Sequence, residues 1–178
     1  MVMKYYVVNG RAGSGKTSFE DLVMRYADVP SMNVSTIDFV KQVAYTCGWD
    51  GTKTPHNRKF LSDLKDLLTN WDDVPYKRVE KAVTDFNRGL KERGYDTVNA
   101  IVFMDCREPI EIKKLKDRLG ARTIFIDRKL EDYEPSNHAD AEVENFDYDI
   151  TIDNNGDLHD LRLEVANFLK NENIPEIK

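Results

Sequence analysis

The segment Gly10-Arg11-Ala12-Gly13-Ser14-Gly15-Lys16-Thr17 constrains the fold more than any other part of the chain. It follows the spacing G-x-x-x-x-G-K-[ST] and comes directly after the apolar run Lys4–Val8. Glycines at these positions let backbone N–H groups turn inward around phosphate oxygens. The lysine reaches the terminal phosphates, and the threonine hydroxyl can ligate Mg²⁺. The loop works only between a buried strand and a helix N-terminus, whose positive dipole end adds to the cradle. A strand ending near Val8 and a helix opening near Lys16 are therefore predicted. Gly10 through Thr17 with Ser18 form the candidate nucleotide-binding set, with ATP as ligand.

Composition narrows the classes. At 178 residues the chain suits one α/β domain with a full core, or one carrying a small insertion. A formal charge of −6 argues against a general nucleic-acid or anionic-membrane binder, since both need a basic face. Cys47 and Cys106 have no C-x-x-C spacing, so neither zinc nor a redox pair is indicated, and a reducing cytoplasm is the expected compartment. Neither a signal-peptide pattern nor a run long enough to span a membrane is present in the sequence.

Further buried strands are predicted at Val98–Met104, Thr123–Ile126 and Tyr148–Ile152, with a weaker one at Met32–Ser35. Helices are predicted from Thr17 to Ala27, Pro75 to Arg93, Pro109 to Gly120 and about Asp157 to Leu169. Strands alternating with helices imply a parallel sheet with right-handed crossovers. The stretch between the weak second strand and Val98 breaks the alternation with extra helical patterns, Ile37–Tyr45 and Asn57–Leu68. It reads as an inserted helical region. A second irregular stretch, Lys129–Asp147, is charged and nearly devoid of aliphatic residues. The tail from Asn171 is expected to fray.

Several residues are placed to do chemistry. Asp105 ends the most apolar strand, where open parallel sheets bind ligands, and with Thr17 it is the candidate metal pair; a turn or capping role is the alternative. Arg107 and Arg128 stand at the same sheet edge, where a guanidinium can fork onto phosphate, although each also reads as a loop cation and Arg122 and Lys129 compete with Arg128. Arg58 precedes the apolar stripe of an inserted helix, where it could grip an acceptor phosphate, but taken alone it reads first as a solvated first-turn arginine. Asp38 closes a Ser35-Thr-Ile-Asp38 capping box, which accounts for it by itself. Phe39 and Trp49 are candidates to stack on a base or to fill a core. His138, Asp140 and Glu142 share one acidic loop and read as solvated rather than as a zinc site. His56 and His159 have no partner at catalytic spacing.

Together these residues resemble the P-loop nucleoside monophosphate kinases, nearest to the phage-type deoxynucleoside monophosphate kinases. The resemblance runs over most of the chain. It rests on Gly10–Thr17, Asp105–Glu111, Arg128 and Asn137-His138-Ala139-Asp140. It implies a three-layer α/β/α P-loop NTPase fold with a central five-stranded parallel sheet. The core is then 1–34, 71–127 and 148–170, the NMP-binding insertion about 35–70, and the lid about 128–147. It further implies transfer of the ATP γ-phosphoryl group, with Mg²⁺, to a nucleoside or deoxynucleoside monophosphate. Lys16, Arg107 and Arg128 are then catalytic, Arg58 and Arg107 hold the acceptor phosphate, and Asp38 approaches the acceptor. Because 129–147 contains no arginine, Arg128 is left nearly alone in the lid. A homodimer is compatible with this reading. Two alternatives stay open: an ATP-binding regulator that orders its lid for a partner protein, and a kinase for another small phosphorylated acceptor.

Overall fold

A computed structural model describes residues 3–95, 99–129, 143 and 146–177. Most of the expected lid, with His138, Asp140, Glu142 and the Asn137–Asp140 motif, lies outside the described residues, as does Val98. Five strands, β1 (Met3–Asn9), β2 (Ser31–Ser35), β3 (Ala100–Asp105), β4 (Arg122–Asp127) and β5 (Ile150–Asp153), form one parallel sheet in the order β2-β3-β1-β4-β5. The fold is α/β, of the three-layer P-loop type.

Alternation along the strands builds both layers. On β1, Tyr6 and Val8 face one side and Val7 the other. The first side is covered by α1 (Lys16–Tyr26) through Phe19 and Val23, and by α6 (Leu158–Asn171) through Leu161, Val165 and Phe168. Phe19 and Phe168 meet edge to face at 5.3 Å, and Tyr6 packs on Phe168 at 5.2 Å. The second side is covered by α4 (Val74–Glu92) through Val79 and Val83, and by α5 (Pro109–Leu119) through Ile112 and Leu115.

Between β2 and α4 come α2 (Asp38–Thr46) and α3 (Pro55–Asp72). The α3 helix starts two residues earlier and ends four later than predicted. Thr54 caps it, its Oγ1 accepting the Asn57 N–H at 3.2 Å, with Pro55 in the first turn. It runs on to Asp73, whose left-handed backbone (φ 52°) turns the chain straight into α4. No residue of α3 is fully buried, consistent with a helix standing off the sheet.

Two expectations are corrected. Strand β5 begins at Ile150 because Tyr148 instead stacks on Phe125 and hydrogen-bonds Asn9, while Asp149 ties back to Thr123. The tail beyond Asn171 is tied down. Asp28 N–H donates to the Pro175 carbonyl and Ile177 N–H to the Tyr26 carbonyl, both at 2.8 Å, and Ile174 is buried in the core. An apolar anchor and two main-chain bonds outweigh the entropy of a free end. Among the described residues no helix is long and apolar enough to cross a membrane.

Candidate active site

Because all strands point the same way, their C-terminal ends share one edge. Ser35, Asp105 and Val8 are directly paired there, and Gly10 follows one residue after β1. The edge opens into a cleft of about 770 Å³, bounded below by the loop and on the far side by α2 and α3.

The loop has the backbone its glycines permit. Gly10, Gly13 and Gly15 take φ of 152°, 82° and 95°, and a Cβ on Gly10 would stand 2.6 Å from Ser14 Oγ and 2.8 Å from the Ile126 carbonyl. Buried Asn9 accepts the Gly10 N–H at 2.8 Å and donates to Tyr148 Oη at 2.7 Å. From beyond β5, Asn154 Nδ2 donates to the Ser14 carbonyl at 2.6 Å. Lys16 folds back over the loop, its ammonium donating to the Gly10 and Arg11 carbonyls at 2.7 and 3.0 Å. Those two carbonyls hold the cation at the loop mouth.

Asp105 is set by main-chain bonds on both sides of its strand, and its carbonyl accepts from Thr36 N–H at 3.2 Å and Ser35 Oγ at 3.3 Å. Near it is Glu20, a fully buried residue one turn along α1 from Lys16, close enough for the two charges to interact. Glu20 Oε1 and Asp105 Oδ1 are both buried and have no hydrogen-bond partner among the described residues. The other Glu20 oxygen accepts from Asn33 Nδ2 on β2. Burial, and then the adjacent Asp105 charge, push the Glu20 carboxyl well above the ordinary carboxylate range; burial also raises Asp105, against the pull of Glu20 and Lys16. The oxygen donors Thr17 and Asp105, with Asp105 Oδ1 lacking a donor, suit a hard divalent ion.

Arg58, Arg107, Arg128 and Asp38 all line the same cleft. The Arg58 Nε donates to the Lys53 carbonyl at 3.1 Å, and Arg11 donates to the Arg128 carbonyl at 3.4 Å. Asp38 accepts the Ser35 N–H at 2.8 Å, one half of the expected capping box; the serine oxygen receives the Ile37 N–H at 3.4 Å in place of the Asp38 N–H, because α2 begins at Asp38 itself. Lys41, Lys53 and Lys65 add cations on the insertion side. Neither aromatic candidate lines the cleft. Phe39 lies under the Arg78 guanidinium at 3.9 Å, and Trp49 packs on Tyr45 and donates to the Thr52 carbonyl. Cys106 lines the cleft but is buried, and burial, and then Glu111, raise its thiol well above its usual range.

Sequence reasoning missed Glu20, Asn33, Asn154 and Lys65. Glu20 carried a signal, a carboxylate adjoining Phe19 and Val23 on the apolar face of α1. Lys65 carried a weaker one, being two helical turns from Arg58 on the same stripe of α3.

No family model matches the chain. Among solved structures, it is similar to a shikimate kinase from Bacteroides thetaiotaomicron at 11% identity and TM-score 0.48, covering 96% of this chain and 99% of that one. A sugar kinase from Janibacter is similar at 14% identity and TM-score 0.47, over 97% and 95% of the two chains. For a gluconokinase from Sinorhizobium meliloti the values are 16%, 0.44, 96% and 95%. These likenesses concern the course of the backbone and say nothing of an acceptor.

Proposed function

We propose that this chain is an ATP- and Mg²⁺-dependent phosphotransferase whose acceptor carries a phosphate, of the nucleoside monophosphate class, and that it acts in the cytoplasm. The observation that carries the reading is the convergence on one cleft of the phosphate loop, Asp105 and Arg58, contributed by β1, β3 and the inserted α3. A hydrolase or switch needs the first two; a cation across the cleft from the loop is what a second phosphorylated substrate requires.

Lys16 would exchange the Gly10 and Arg11 carbonyls for donor phosphate oxygens, which the loop amides also bind. Thr17 and Asp105 would hold Mg²⁺, which when bound neutralises charge on the donor phosphates. Arg107 and Arg128 would spread over the oxygens of the transferring group, and Arg58 would grip the acceptor phosphate. An acceptor phosphate oxygen attacks the γ-phosphorus, the bond to the β–γ bridging oxygen breaks, and ADP departs with that electron pair. The attacking oxygen is already ionised, so positioning and electrostatics suffice without a general base.

One observation favours a second reading, a different small phosphorylated acceptor: among the described residues no aromatic side chain lines the cleft, and its apolar wall is made by residues such as Val8, Ile37 and Leu61. A coupled assay with ATP across all common NMPs and dNMPs tests the first reading. Turnover with any of them supports it. ATP binding with silence across the panel sinks it, and turnover of phosphorylated sugars or polyols then establishes the second.

A further inference from the structure

We propose that Lys53, held in place by the loop 47–54, binds the acceptor's phosphate dianion together with Arg58 and Lys41, an inference that rests on the phosphorylated-acceptor reading above. All three line the same cleft as the phosphate loop. Lys41 comes from α2, Lys53 from the loop and Arg58 from the first turn of α3. Among the described residues none of the three has a carboxylate partner. Acids are not scarce, since the chain has 32 aspartates and glutamates against 26 lysines and arginines. On α3 itself Lys59 pairs with Asp63 at 2.7 Å, four positions on, whereas Arg58 has at that spacing Ser62, which also lines the cleft. Like charges gathered on one wall repel until an anion joins them. A phosphate monoester, with a charge of about −1.5 to −2 at neutral pH and three acceptor oxygens, fits such a wall better than a singly charged carboxylate.

The loop fixes where Lys53 stands. Asp50 Oδ1 accepts from the Thr52 N–H at 2.9 Å, the Thr52 hydroxyl at 2.7 Å and Asn57 Nδ2 at 3.3 Å. The Trp49 indole N–H donates to the Thr52 carbonyl at 3.1 Å, and Asn57 Nδ2 donates to the same carbonyl at 3.3 Å. Arg58 Nε closes the set by donating to the Lys53 carbonyl at 3.1 Å, so the two cations are tied to each other. Trp49 packs on Tyr45 at 4.7 Å, which seats the loop against α2. Asp50, the carboxylate nearest in sequence to Lys53, is thus occupied within the loop. The network is exposed, where water would satisfy the same groups, so its consequence is order rather than core stability.

Inorganic phosphate is the probe, titrated into protein whose phosphate loop is saturated with Mg²⁺ and the non-hydrolysable analogue AMP-PNP, and followed by phosphorus NMR. Wild type should bind it. Lys53→Met should weaken phosphate binding about tenfold with AMP-PNP affinity unchanged, and Lys53→Arg should recover most of the loss. Asn57→Ala removes no charge but unties the loop, and should also weaken phosphate binding. Wild-type phosphate affinity in Lys53→Met overturns the role of that lysine, and the same result in Asn57→Ala overturns the part given to the loop. Wild-type protein that binds no phosphate overturns the site altogether. Phosphate binding combined with silence across the nucleotide panel overturns only the nucleoside monophosphate reading and leaves this site to another phosphorylated acceptor.

Discussion

The Lys65 ammonium on α3 lies 2.7 Å from the Glu111 carboxylate and 3.9 Å from that of Glu108, tying the inserted helix to the start of α5. Both side chains of the closer pair are nearly enclosed, at 12% and 4% exposure, so solvent screens it little. Cys106 Sγ stands 3.3 Å from the same carboxylate, and Glu111 Oε1 has no partner among the described residues. Removing Lys65 would leave a buried charge uncompensated. Lys65→Met should cost about 3–5 kcal/mol. Adding Glu111→Leu should recover most of the loss, as urea unfolding of the single and double variants would report. Equal stability of Lys65→Met and wild type would show that the pair holds nothing in place.

Lys16 and Arg58 should separate donor from acceptor binding. Lys16→Ala should abolish turnover and leave the circular dichroism spectrum unchanged, because Lys16 lines the cleft and its ammonium donates to loop carbonyls. Arg58→Ala should raise the acceptor KM about tenfold or more, the worth of one charge-assisted pair, and spare ATP affinity. Unchanged kinetics in Arg58→Ala would return that residue to solvent.

Asn154 touches the phosphate loop from behind, through the Ser14 carbonyl, and is itself buried. Asn154→Ala leaves that carbonyl without its donor, at a cost of about 1–3 kcal/mol. Part of this should appear as weaker ADP binding in titration calorimetry, although Asn154 does not line the cleft. A lower melting temperature with unchanged ADP affinity would limit Asn154 to stability.

Acid should reach Asp149 late. Burial alone would raise its carboxyl, but the Lys116 ammonium at 2.9 Å and the Thr123 N–H and hydroxyl at 2.8 and 2.9 Å outweigh it and hold it below the usual carboxylate range. A depressed folded value means that its stabilisation is complete above the unfolded value of about 4 and is lost as pH falls through the folded one. Asp149→Asn should be less stable at neutral pH, and the difference from wild type should shrink as pH falls below about 4. A difference independent of pH would assign the effect to packing.

Much of the site was legible locally. The loop, Thr17, Asp105 and Arg107 follow from spacing after apolar runs, and the strands from runs of β-branched and aromatic residues. Arg58 was legible only as one charge on a helix; the long α3, anchored by Lys65, is what brings it to the cleft. The expected strand start at Tyr148 failed because an aromatic and a carboxylate found better partners in Phe125, Asn9 and Thr123 than in a ladder. The expected frayed tail failed because one isoleucine three residues beyond α6 reaches the core.

By itself the sequence determined what depends on near neighbours: a phosphate loop between strand and helix, alternating elements and hence a parallel sheet, and acidic and basic groups at strand ends. Only the tertiary structure decided that β1 lies between β3 and β4, which puts Asp105 beside the loop. It also brought Asn154 to Ser14, 140 positions away, Lys65 to Glu111 across 46, and Glu20 to Asp105. Local pattern specifies period and breaks, because those arise from sterics within one or two turns. Which distant polar groups meet is set by strand order and by the cost of burying them unpaired, and that is a property of the closed fold.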